Sequence, residues 1–242
     1  MTGTSRSRGI WDAAARTGSD RYLGRPEHAE KQLESLLRDL GAQPAGAGRC
    51  LEIGCGAGRM TMALARRWRE VLAVDISPAM LERARVAVDE ERVTFALVSG
   101  DRLDGIADRS ADVAICYGVL QHFPTRSSIG RMLTEVERVL DIGGEAFVQL
   151  PVLERGVRAR LWRVARTAVT QARKGRNGDF TRASEYRGTR LTQRELAQIL
   201  RVAGLAIVAR SDRAADPTLL STYPHCTETR LRLRPLARGD QS

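Results

Sequence analysis

An α/β fold, an open and mostly parallel sheet with helices on both faces, is what this chain of 242 residues predicts. Three observations carry that prediction. Short apolar runs alternate with amphipathic or charged stretches from about residue 48 onward, the pattern of repeated strand-helix-strand units. Two of these runs close on an acid at the expected end of a strand, Leu51-Glu52 and Val74-Asp75. The first acid runs into the alternating glycines Gly54, Gly56 and Gly58 and then into the apolar helix Met60-Thr61-Met62-Ala63-Leu64-Ala65.

That turn reads as a nucleotide-binding turn. Gly54 permits the sharp reversal, Gly56 lets a ligand come close to the backbone, and Gly58 lets the next helix pack closely. The dinucleotide fingerprint asks for a further glycine where this chain has Arg59, which argues against nicotinamide or flavin. The second strand, Val71-Leu72-Ala73-Val74-Asp75, sets Asp75 21 residues after Gly54, the span of one strand-helix-strand unit. A carboxylate there can accept hydrogen bonds from both hydroxyls of a ribose; the alternative is a plain helix cap. Ser77 before Pro78 supplies an N-cap with proline at the first helical position. Val93 to Val98 gives a third strand ahead of the Gly100-Asp101 turn, and Ala111 to Cys116 a fourth ahead of Tyr117. Apolar positions 132, 133, 136, 139 and 140 form a helical stripe, and Asp141 to Leu150 the turn and fifth strand that follow.

The segment Cys50-Leu51-Glu52-Ile53-Gly54-Cys55-Gly56-Ala57-Gly58-Arg59 resembles motif I of the class I S-adenosylmethionine-dependent methyltransferases. The resemblance continues through Asp75, through Asp101 and through Leu120-Gln121-His122-Phe123-Pro124, and covers about residues 48–151. It implies a Rossmann-like methyltransferase fold with a seven-stranded sheet in the order 3-2-1-4-5-7-6, the last strand antiparallel. It also implies S-adenosyl-L-methionine as cofactor, held by Glu52, Gly54, Gly56, Gly58, Asp75, Ile76, Asp101, Arg102 and Tyr117. Asp101 would accept from the adenine amine. His122 is the candidate catalytic base, set against a structural role in its loop. In ubiquinone-pathway enzymes a Glu precedes the comparable His and can help hold a metal; Gln121 stands there instead, so no metal is expected.

Charge divides the chain unevenly. The net charge is +10, yet residues 1–151 sum to −1, whereas 152–182 hold nine basic against two acidic residues. Leu153, Val157, Leu161, Val164 and Ala168 fall at helical spacing among Arg155, Arg158, Arg160, Arg163 and Arg166, so a basic amphipathic helix is expected over Val152 to Lys174. Three roles are open for it: a solvated face, a membrane-surface helix, or a helical lid over an anionic or carrier-bound acceptor. Thr192 with Glu195 forms a capping box that opens a helix to about Ala203, Gly204 ends it, and strands follow over 205–209 and 227–233. One domain is expected: an N-terminal helical cap over 1–47, a cofactor-binding core over 48–151, a lid insertion over 152–190 and the rest of the sheet over 191–242.

No apolar run approaches the roughly 20 residues of a membrane span, and the Arg-bearing start lacks a signal peptide's apolar core. Cys50, Cys55, Cys116 and Cys226 show no pairing or metal-site spacing, so a cytoplasmic protein is expected. The functional expectation is O- or N-methylation of a small molecule, such as a natural product, sugar or peptide with anionic character. The alternatives are an RNA methyltransferase and a non-catalytic cofactor-binding partner. Against RNA, the chain has no Asn/Asp-Pro-Pro-aromatic motif.

Overall fold

A computed structural model describes residues 3–17, 26–42, 46–88, 91–154, 161, 189–214 and 226–236. Two N-terminal helices, α1 (Gly3–Arg16) and α2 (Pro26–Asp39), precede the alternating core. There β1 (Gly46–Ile53), α3 (Arg59–Ala65), β2 (Trp68–Asp75), α4 (Pro78–Ala87), β3 (Val93–Leu97) and β4 (Ala111–Cys116) follow in turn. A 3-10 turn (Leu120–His122), α5 (Arg126–Val139), β5 (Leu140–Leu153), α6 (Gln193–Val202), β6 (Leu205–Ala214) and β7 (Cys226–Pro235) complete the described elements.

The seven strands hydrogen-bond in the order β3-β2-β1-β4-β5-β7-β6. β7 runs antiparallel to both of its neighbours, and the other pairings are parallel, as the sequence led one to expect. The strand order reverses between β1 and β4, and ligands of open α/β sheets bind beside such a switch. Alternation along the strands separates two apolar layers. Cys50, Val71, Val113, Ile115 and Phe147 face α2 and α3, through Leu33, Leu36, Leu37, Met60 and Leu64. Their neighbours Leu51, Ala114, Cys116, Ala146 and Val148 face the other way, onto Met132, Leu133 and Val136 of α5 and Leu196 and Leu200 of α6.

The helix starts follow their caps. Ser77 accepts from the Met80 N–H ahead of α4, and Thr192 and Glu195 close the expected capping box on α6. Thr125 and Ser128 make a second box on α5, where a serine at the third position takes the place of the usual Glu or Gln.

Two boundaries differ from expectation. Val152 and Leu153, read as the start of the basic helix, belong to β5, where they pair with Thr227 and Cys226 and are fully buried. Strand pairing across more than seventy residues overrides a local helical spacing, and the rest of that stripe, apart from Leu161, lies outside the described residues. β6 runs on to Ala214 rather than stopping near 209, because β7 supplies partners as far as Thr227. Among the described residues no helix is long and apolar enough to cross a membrane.

Candidate functional site

A cavity of about 460 Å³ opens over the carboxyl ends of β1, β2, β4 and β5, at the switch in strand order. Its first wall is the turn after β1. Gly54 and Cys55 both donate their N–H to the Val74 carbonyl, which ties the turn to β2. Gly54 has φ +73°, and a Cβ there would stand 2.5 Å from the Val119 side chain, so only glycine fits without displacing the loop after β4. Gly58 does not line the cavity. At φ +86° it caps α3, and a Cβ would meet Val88 at 2.7 Å, so the close packing it allows is against α4 rather than the sheet.

Asp75 ends β2 as a buried carboxylate, with Oδ2 accepting from Gly56 N and Oδ1 from Ser77 N, both at 2.9 Å. Burial raises its pKa, and the backbone donors at Ser77, Gly56 and Ile76 oppose that rise. The helix-cap alternative fails on geometry: Ser77, not Asp75, caps α4. Glu52 is buried at the end of β1, with Thr61 Oγ1 donating to its Oε2 at 2.6 Å. Loss of solvent pushes its pKa up to about 7, against the pull of the Thr61 hydrogen bond and of Arg59. Asp101 lines the cavity and is gripped on Oδ2 by Arg131, whose Nε donates at 2.9 Å, so Oδ1 stays available. Arg102 is exposed and lies off the cavity, because the next residue, Leu103, turns into the core.

α1 roofs this end. Arg8 Nε donates to the Ile76 carbonyl at 3.0 Å, and Asp12 Oδ1 accepts from the Ser77 hydroxyl. Trp11 meets His122 edge-on, ring centroids 4.9 Å apart. The Gln121 carboxamide nitrogen, a donor, lies 3.3 Å from His122 Nε2, which fits a ring that accepts there. Trp11 packs α1 onto Met80 and also lines the cavity.

Tyr117 after β4 forms part of the floor, half-buried, its hydroxyl pKa raised first by burial and then by Glu228. The sequence reading missed the rest of that floor. Gln149 on β5 accepts from Gly118 N at 2.9 Å through Oε1, and Glu228 on β7 is paired with the buried Arg230. Arg59 is the one guanidinium among the described lining residues; it donates to Gln32 of α2, and burial lowers its pKa. Neither Gln149 nor Glu228 sits in a local motif, and Arg59 was read only as a departure from the dinucleotide fingerprint. Only the pairing of β5 with β7 and the packing of α2 on α3 bring them together.

Residues 51–148 match a family model described as a methyltransferase domain. That match and the strand order mark residues 51–148 as a methyltransferase domain on the fold of the class I S-adenosylmethionine-dependent enzymes. Among curated relatives, a ubiquinone biosynthesis O-methyltransferase of Xanthomonas axonopodis is 29% identical over 126 residues, 51% of each chain. A trans-aconitate 2-methyltransferase of Methylobacterium radiotolerans is 35% identical over 42% of this chain and 37% of its own. The chain thus spans about half the length, or less, of the curated relatives it matches. Two solved structures share the fold. A Leishmania major S-adenosylmethionine-dependent methyltransferase superposes with TM-score 0.68 at 13% identity, over 96% of this chain and 82% of that one. Magnesium protoporphyrin IX methyltransferase of Synechocystis, solved with S-adenosylhomocysteine, gives 0.63 at 17%, over 97% and 99%.

The cofactor of this methyltransferase domain is S-adenosylmethionine, and the described residues fit it. The cavity is lined by a carboxylate at the end of β2, a second with one free oxygen after β3, and a guanidinium over the glycine turn. Of the residues expected to hold it, Glu52, Gly54, Gly56, Asp75, Ile76, Asp101 and Tyr117 line one cavity together with His122, while Gly58 and Arg102 do not.

Proposed function

We propose that the protein transfers a methyl group from S-adenosylmethionine to a small molecule, by O- or N-methylation. The observation that supports this most is the convergence of Gly56, Asp75 and Asp101 with Tyr117 and His122 on one cavity at the strand switch. Asp75 would hold the ribose hydroxyls, Asp101 Oδ1 the adenine amine, and Arg59 the carboxylate of the methionine moiety. When bound, the cofactor supplies a methyl group made electrophilic by its sulfonium. What remains for the chain is to hold the acceptor in line, exclude water and take a proton if the acceptor is a hydroxyl. His122 is the candidate for that proton.

The 155–188 segment, apart from Leu161, lies outside the described residues, but both of its flanks are placed. Leu153 N donates to the Leu191 carbonyl at 2.9 Å, and Thr189 bonds through N and Oγ1 to the carbonyls of Phe123 and Pro124, which line the cavity. A segment that returns at the cavity rim suits a lid, and its arginines would meet an anionic part of the acceptor or its carrier. Natural products, sugars and peptides, in a cytoplasmic setting, remain the acceptors proposed. Transfer of labelled methyl to candidate metabolites and to RNA tests this reading. Label entering a metabolite supports it, and label entering only RNA overturns it.

A further inference from the structure

Beyond the glycine turn, the floor of the cavity carries three polar side chains from three adjacent strands: Tyr117 after β4, Gln149 on β5 and Glu228 on β7. Gln149 is 4% exposed and Glu228 9%, so two polar side chains stay more than nine-tenths buried and yet line an open cavity. Each is half-used by the protein. Gln149 spends Oε1 on Gly118 N, and no partner among the described residues meets its Nε2. Glu228 spends Oε1 on Arg230, from Nε at 2.8 Å and Nη2 at 2.6 Å, and no donor reaches Oε2 among the described residues. The Tyr117 hydroxyl likewise has no hydrogen-bond partner there.

What holds Glu228 in place lies underneath. Arg230 is 4% exposed and continues to Ser35 Oγ at 2.9 Å and Asp39 Oδ2 at 2.8 Å on α2, and Asp39 also pairs with Arg213 of β6. This chain of alternating charges fixes the Glu228 carboxylate with one oxygen turned to the cavity. A buried ion pair adds little net stability, because desolvation offsets the Coulomb gain. Stability alone therefore gives no reason to spend a buried charge here, whereas ligand recognition does.

We infer that Tyr117, Gln149 and Glu228 form the subsite for the reacting end of the acceptor, and that this end is a hydrogen-bond donor, a hydroxyl or amine, rather than a carboxylate or phosphate. This inference rests on the methyltransferase reading above. Glu228 Oε2 accepts from the donor, while Gln149 Nε2 and the Tyr117 hydroxyl complete its hydrogen bonds. A carboxylate brought to the same spot would face the Glu228 oxygen, a like-charge contact that disfavours it. An anionic group elsewhere on the acceptor would be met at the cavity mouth, away from this floor.

The test uses the full chain loaded with S-adenosylhomocysteine, and the probes catechol and benzoate followed by ligand-observed NMR. Wild type should take up catechol. Glu228→Gln removes the charge and should lower the preference for catechol over benzoate by about tenfold, the worth of one charge-assisted hydrogen bond. Gln149→Met, which keeps the volume and removes the donor, should weaken catechol by about fivefold and serves if Glu228→Gln fails to fold. An unchanged preference in Glu228→Gln, unchanged catechol binding in Gln149→Met, or a wild type that takes up neither probe overturns the inference. Calorimetry with S-adenosylhomocysteine on the same samples separates the failures. If S-adenosylhomocysteine does not bind, the methyltransferase reading itself fails; if it binds while the probes disobey, only this subsite does.

Discussion

Over β1 and β2 the cavity wall comes from residues close in sequence, with Glu52, Gly54 and Gly56 in one turn and Asp75 nineteen residues beyond Gly56. Over β4, β5 and β7 it comes from Tyr117, Gln149 and Glu228, side chains of strands that are distant in sequence and become neighbours only when the sheet forms. The first wall presents backbone N–H groups and carboxylates that bond within the turn itself, and the second presents side chains anchored by a buried ion network. A ligand common to a whole family is met by the local device. The part of the site that decides which acceptor enters is built from long-range pairing, and so is freer to change without disturbing the first.

If that division holds, changes in the two regions should have separable effects, and the largest should come from Asp75. Asp75→Ala removes hydrogen bonds from a charged acceptor and should weaken S-adenosylhomocysteine binding by about 1.5–3 kcal/mol. Because the Gly56 and Ser77 N–H groups also lose their partner, melting temperature should fall in the same variant. Asp75→Asn, which keeps an acceptor, should recover part of both. Calorimetry and thermal melts read the two effects side by side.

Glu52 sharpens the comparison through pH. Folded, its carboxyl holds the proton up to about pH 7, while in the unfolded chain it lets go near 4.5. The stability this proton contributes is therefore fully present below about 4.5 and is lost as pH rises through 7. The expected loss is of order 2–3 kcal/mol. Glu52→Gln is neutral at every pH and can still accept from Thr61, so denaturant titrations should show its stability declining less between those two pH values. A decline as steep as wild type would place the titration elsewhere.

The smallest effect on stability and cofactor binding belongs to His122. His122→Ala breaks the edge-on contact with Trp11, worth about 0.5–1.5 kcal/mol of stability, and should leave cofactor affinity within a few-fold. If the ring takes a proton from a hydroxyl acceptor, turnover falls by roughly 10²–10⁴-fold. If it only packs, turnover holds while the melt shifts.

The same division explains what could be read from the sequence. The glycine turn and the helix starts were legible because each rests on residues within one strand-turn-helix step: Gly54 and its positive φ, Ser77 ahead of Pro78, Thr192 with Glu195; the strand order came with the family resemblance. Gln149 and Glu228 were not, because a lone polar residue in an apolar or alternating strand carries no sign of the cavity it will face. The reach of β5 to Leu153 was hidden for a related reason. Val152 and Leu153 suit a helix stripe as well as a strand, and only their partners on β7 decide between the two. Arg102 was carried along with its neighbour Asp101, although in an exposed turn adjacent side chains point apart.

The most direct measurement is a calorimetric titration of the wild-type chain with S-adenosylhomocysteine, repeated with NAD. The glycine turn, Asp75 and Asp101 predict one site per chain for S-adenosylhomocysteine, displaced by S-adenosylmethionine, and no heat from NAD. Binding of NAD in its place, or no binding of S-adenosylhomocysteine to a folded chain, would contradict the assignment of this cavity.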